Sequence, residues 1–227
     1  MQTKHLPIAT ISIILLNGLI FVVGLLSGEQ THIIEKYGFI PDQYFNPRNV
    51  ENNNDQQNSL SSLLQPSEPQ ILFPPLPDSL TRLVASMFLH ANIPHIAFNL
   101  LALAYLGTYA ERSIGIPRYL LVYFFSGIVA ALFHGAVASY VLHNGNVLLI
   151  GASGAISGVL GIAAVTGNTR AYYWLAAQII FAVIGSISSL PIAFTAHVGG
   201  FIAGVVMTKL LIRLEKSKRK SKFFPHP

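Results

Sequence analysis

Apolar residues in this chain come in runs of about twenty, the length a helix needs to cross the hydrocarbon core of a bilayer. The first run, Pro7 to Ser27, is broken only by Asn17 and small residues. It has no small-x-small cleavage site, so it reads as a retained span and not as a leader. From Gly28 to Ser79 the chain turns to Asn, Gln, Ser and Pro, as in Glu51-Asn52-Asn53-Asn54-Asp55. That composition predicts a long loop, mobile in its middle. Ile71 to Leu76, bounded by prolines, is expected to dip into the membrane interface. Further apolar runs follow from about Ile93 to Ala110, Arg118 to Leu142, Val147 to Gly167, Ala171 to Leu190 and Thr195 to about Leu214. The pattern predicts an all-α membrane protein of six transmembrane helices. Its parts are the N-terminus and first span at 1–27, a partly disordered extracytoplasmic loop at 28–81, a helical core at 82–214 and a basic tail at 215–227.

The fourth run differs from the others. Ser153 to Gly167, at about 1.5 Å per residue, spans only about 22 Å of a core roughly 30 Å thick. This predicts a short, recessed helix approached by Val147 to Ile150 in non-helical form. Such backbone persists at membrane depth only when it is buried in protein or lines a watery cavity.

Composition agrees with a membrane protein: of 227 residues, 52% are hydrophobic and 10% charged. There is no cysteine, which excludes thiolate chemistry and disulfides. The distribution of the +5 formal charge sets the orientation. Seven Lys and Arg lie between Lys209 and Lys222. Placing that end in the cytoplasm also puts Lys4, Arg112, Arg118 and Arg170 inside, and leaves only Lys36, Arg48 and Arg82 outside. Both termini are then cytoplasmic, in a multi-pass protein of the cell membrane. The basic cluster reads as a membrane-surface tail and not as a nucleic-acid site.

In this topology spans two, four and six run inward from the outer face, so residues early in each share one depth. They are His95 and Asn99, Ser153, and His197. Polar and ionisable groups at membrane depth are functional candidates. A serine hydroxyl is a poor nucleophile without a base, and His197 stands beside the small-residue stripe Ala196, Gly200 and Gly204, which allows close approach to the Gly154 and Gly158 face of span four. No Asp or Glu occurs in a span at this depth, so the arrangement is a Ser-His dyad. His95 and Asn99, four residues apart on one helix face, can donate to an oxyanion, as can the Ser153 amide. An interhelical polar contact is the competing reading of that pair. His134, in the third span, reads as a packing or helix-to-helix hydrogen-bonding residue. No metal site is indicated, because no histidine pair has the flanking carboxylates or spacing of a zinc centre.

Taken together, His90-x4-His95-x3-Asn99, Gly107 to Glu111 followed by Arg112, Gly151-x-Ser153-Gly154 and Ala196-His197-x2-Gly200-x3-Gly204 resemble the rhomboid family of intramembrane serine proteases, from Arg82 to Gly204. The resemblance implies that Ser153 is the nucleophile and His197 the general base, with His95, Asn99 and the Ser153 amide as the oxyanion hole. It makes His90 a structural histidine and Glu111 with Arg112 a polar pair bracing the cytoplasmic end. It also implies transmembrane protein substrates met in the lipid bilayer and cleaved near their outer end, with no cofactor, and a cap and lateral gate formed by residues 188–192 and span five. The sequence departs from the family pattern at Ser157, where a Tyr or Phe commonly stacks on the imidazole; Phe201 or the Ser157 hydroxyl is the candidate substitute. That departure carries the alternative of a catalytically impaired relative that binds or escorts membrane clients. Polar residues within spans carry a weaker one, a small transporter or channel.

Overall fold

The structure is a computed structural model that describes residues 6–46, 76–187 and 193–223. The helices described are α1 (Ile8–Ser27), α2 (Gln30–Tyr37), α3 (Pro41–Phe45), α4 (Leu76–Ala85), α5 (Ile93–Ile114), α6 (Ile116–Leu142), α7 (Ser153–Val165), α8 (Arg170–Ile187) and α9 (Phe194–Phe223). Among the described residues there is no strand, only an isolated antiparallel bridge between Phe39 and Leu149. The middle of the polar stretch expected as a loop, the segment 71–75 and the expected cap at 188–192 lie outside the described residues.

Four described helices are long and apolar enough to cross a membrane: Ile8–Ser27, Ile93–Ile114, Ile116–Leu142 and Phe194–Ser217. Their exteriors are apolar as well. On α1 a stripe of Ile13, Asn17, Phe21 and Gly24, spaced by three or four residues, turns inward, while Leu15 and Leu19 are 65% and 59% exposed. Leucines bare on a helix of spanning length are solvated by lipid tails, and the chain is an integral membrane protein. Gly28, in the left-handed region at φ 73°, closes α1.

α7 is the centre of the bundle. It is only 13 residues long, and its residues from Gly154 to Ala163 are all buried. α6 and α9 pack on it and on each other, and they can do so closely because the contacts fall on glycines. A Cβ on Gly154 would lie 2.7 Å from the Ala130 Cβ, one on Gly158 would meet Ser126, and one on Gly161 would lie 2.7 Å from the Val205 nitrogen. On α9, a Cβ on Gly200 or Gly204 would run into the backbone of Gly154 or Gly158 respectively.

At the opposite end of the bundle from Ser153, buried Glu111 accepts from the backbone N–H groups of Ala9 (3.2 Å) and Thr10 (2.7 Å) and from the Thr10 hydroxyl (2.7 Å). These amides belong to the first turn of α1, which has no partners within its own helix.

Two sequence expectations are refined. Part of the stretch expected as loop is helical, namely α2, α3 and α4, because Ile33, Ile34, Phe39 and Leu83 supply enough apolar surface to dock it. The helix that carries the last apolar run is longer than the run itself: α9 continues past Leu214 to Phe223, so the basic cluster extends the helix, and Glu215 pairs with Arg118 at 3.0 Å.

Candidate active site

Ser153 is the first residue of α7, and the chain is delivered to it by an extended approach. Leu149 exchanges backbone hydrogen bonds with Phe39 (Phe39 N to Leu149 O 3.1 Å, Leu149 N to Phe39 O 2.8 Å), and the Gly151 amide donates to the Ser86 carbonyl at 2.8 Å. These partners satisfy backbone that no helix serves. Gly151 then takes φ 117°, which L side chains rarely adopt, and the first helical bond closes from Ile156 N to Ala152 O at 2.9 Å. The amides of the first α7 turn are left without intrahelical partners, and the positive end of the helix dipole lies at Ser153.

His197 comes from the first turn of α9. Its Nε2 lies 2.9 Å from the Ser153 Oγ. Forty-four residues separate the two in sequence, and the glycine contacts between α7 and α9 are what allow the approach. The other ring nitrogen, Nδ1, is buried and has no hydrogen-bond partner among the described residues.

His95 enters from α5. Asn92 caps that helix, its Oδ1 accepting from the His95 amide at 2.9 Å, and Pro94 occupies the first turn, where its missing N–H costs nothing. The Ala91 amide donates a long, 3.5 Å bond to His95 Nδ1. The Nε2 of the same ring faces Gly151: a Cβ there would lie 2.6 Å from His95 Nε2 and 3.8 Å from the Ser153 Oγ. One small space is thus bordered by an imidazole nitrogen and the serine hydroxyl. Buried His90 packs edge-on against His95, ring centroids 4.9 Å apart.

Asn99 is buried, and its side-chain amide donates to the His95 carbonyl one turn back, at 2.8 Å. One amide hydrogen is committed to its own helix, and a second remains. Ser157, fully buried, does likewise: its hydroxyl donates to the Ser153 carbonyl at 2.9 Å. Phe201 is half-buried against the main apolar core. His134, expected as a helix-to-helix hydrogen-bonding residue, lies with Nδ1 2.6 Å from the Thr195 hydroxyl on α9.

Sequence reasoning brought Ser153, His197 and His95 to one place and missed three contributors. Asn92 carried a usable signal, a capping residue directly before Ile-Pro at a helix start. The Phe39 and Ser86 backbone groups carried none, since a backbone hydrogen bond does not depend on the identity of the side chain beside it.

Residues 77–214, more than half of the chain, match the family model described as the Rhomboid domain. The chain is 31% identical over 156 residues to Rhomboid-type serine protease 2 of Emericella nidulans, covering 64% of this chain and 30% of that protein. It is 36% identical over 132 residues to Rhomboid protease GluP of Bacillus subtilis, covering 54% and 24%. To Rhomboid protease AarA of Providencia stuartii it is 32% identical over 149 residues, covering 54% and 53%. The match thus spans between about a quarter and about half the length of these three relatives. With the glycine-packed α7 and α9, the four helices of membrane-spanning character and the matched domain, this chain belongs to the rhomboid family.

Proposed function

We propose that the protein is an intramembrane serine endopeptidase that cleaves transmembrane segments of membrane proteins near their extracytoplasmic end. The observation that carries the reading is the 2.9 Å contact between His197 Nε2 and the Ser153 Oγ. In the proposed reaction Nε2 accepts the Ser153 proton as Oγ attacks the scissile carbonyl. The His95 Nε2–H, the second Asn99 amide hydrogen and the Ser153 backbone N–H stabilise the resulting oxyanion. The tetrahedral adduct collapses, the peptide C–N bond breaks, and His197 passes its proton to the leaving amine. Water, deprotonated by His197, attacks the acyl ester, and the proton returns to Ser153 as the acid product leaves. The work is divided between a serine and a histidine with no acid.

Architecture supports this reading. α1, α5, α6, α7, α8 and α9 are proposed as six spans with both termini cytoplasmic in the cell membrane, and the short α7 would set Ser153 below the outer surface. A regular substrate helix hides its carbonyls in its own hydrogen-bond ladder, so segments weakened by Gly or Pro are the proposed substrates. Residues 188–192 with α8 are the proposed gate.

The test is cleavage of a fluorogenic transmembrane peptide in proteoliposomes by wild type and Ser153→Ala. Cleavage lost in the variant supports the protease. Equal signal from both proteins removes it and leaves the client-binding alternative.

A further inference from the structure

A dyad without an acid raises the question of what holds its imidazole. His197 Nδ1 has no hydrogen-bond partner among the described residues, so the ring is not oriented from behind by a carboxylate as in a triad. Its aim depends on where the α9 backbone places it. That backbone is the first turn of a helix, since α9 begins at Phe194, and first turns fray because their amides lack intrahelical partners. The glycine interlock of α9 with α7 starts at Gly200, about one turn beyond His197.

The turn before that interlock is tied to α6. One stripe of α6, at four-residue spacing, serves both partners: Ser126 lies against Gly158, Ala130 against Gly154 and Gly200, and His134 reaches the Thr195 hydroxyl, with Nδ1 to Oγ1 2.6 Å. Phe133 closes the side, its ring and Cβ lying where a Cβ on Gly199 would be. Thr195 stands two residues before His197, so a bond that fixes its side chain to α6 fixes the turn bearing the imidazole.

We propose that the His134–Thr195 hydrogen bond is the tether that aims His197 at Ser153, which makes both positioning residues in place of the missing acid. The inference rests on the dyad proposed above. Displacement of a reacting group by about 1 Å costs about a hundredfold in rate, so partial release of the tether is expected to slow Ser153 by at least about tenfold without altering what the site binds.

The experiment uses the full chain in nanodiscs and two readouts. The first is phosphonylation of Ser153 by a fluorophosphonate, resolved into maximal rate and apparent affinity. The second is backbone hydrogen exchange of the peptide covering 194–199, which does not require Ser153 to react. Thr195→Val, which keeps shape and removes the hydroxyl, should lower the maximal rate with unchanged affinity and speed exchange. Thr195→Ser should restore both to near wild type. His134→Leu should reproduce Thr195→Val, and the double variant should be no slower than either single one. The tether is overturned if exchange in Thr195→Val equals wild type, if Thr195→Ser is as slow as Thr195→Val, or if the two single effects multiply. Failure of the wild type itself to label would remove the protease reading, and the exchange comparison would still decide the tether.

Discussion

Gly204 on α9 faces Gly158 on α7 so closely that the Gly158 backbone occupies the place where a Gly204 side chain would stand. Gly204→Ala should therefore push the two helices apart and destabilise the protein by about 2 kcal/mol, with a lower unfolding temperature in detergent. Gly18 of α1 has nothing within 4 Å of its Cβ position. Gly18→Ala should be neutral or slightly stabilising in the same measurement, which separates crowding from the general effect of replacing a helical glycine.

Ser153→Ala and His197→Ala should each lower cleavage of a transmembrane substrate by about a thousandfold or more. The double variant should be little worse, because in the proposed mechanism the two groups act in one proton transfer. Turnover in proteoliposomes, with unfolding temperature as the control for folding, checks both points.

Removing a donor to the developing oxyanion affects the chemical step more than binding. His95→Ala and Asn99→Ala should reduce kcat by about a hundredfold to a thousandfold with KM nearly unchanged. A change in KM alone would show that these side chains hold substrate and not the oxyanion.

Gly151 answers two demands at once, a φ of 117° and the nearness of the His95 ring. Gly151→Ala is expected to abolish fluorophosphonate labelling of Ser153 while leaving the helical circular dichroism in place. Its Cβ would displace the imidazole and twist the approach to α7.

Glu111 carries three hydrogen bonds from the start of α1. Glu111→Gln keeps one acceptor oxygen and should cost about 2 kcal/mol, and Glu111→Ala about 4 kcal/mol, since hydrogen bonds to a charged group contribute about 1.5–3 kcal/mol each and do not add fully. Thermal unfolding measures the difference. Catalysis well below the transition should be little changed.

The parts of this fold that were legible were those set by composition along a single segment. The apolar runs marked α1, α5, α6 and α9, and the glycines around Ser153 marked where α7 begins. His95, Ser153 and His197 could be matched in depth because the expected alternation of helix direction and a fixed rise per residue set them at one level. What stayed hidden depended on pairs of distant segments. Glu111 and Arg112 were legible as a polar pair, but the Glu111 carboxylate takes its donors from two amides and one threonine hydroxyl about a hundred residues upstream, and neither backbone nor a single threonine marks such a partnership in a sequence. Thr195 was invisible for a related reason, as a lone hydroxyl acquires meaning only when α6 brings His134 beside it. The helices of 30–45 were masked by polar residues around a few apolar anchors such as Phe39.

The bridge between Phe39 and Leu149 bears on where this protein can be cut. Family similarity begins at residue 77, which invites its use as an autonomous domain. Yet the chain leading to Ser153 takes two backbone partners from residue 39, and the buried carboxylate of Glu111 takes its donors from residues 9 and 10. A fragment starting at 77 would leave all of these groups without the partners they have here. The folded unit thus reaches upstream of the matched domain, and a fragment that begins at residue 77 is expected to unfold at a lower temperature than one that keeps α1 and Phe39.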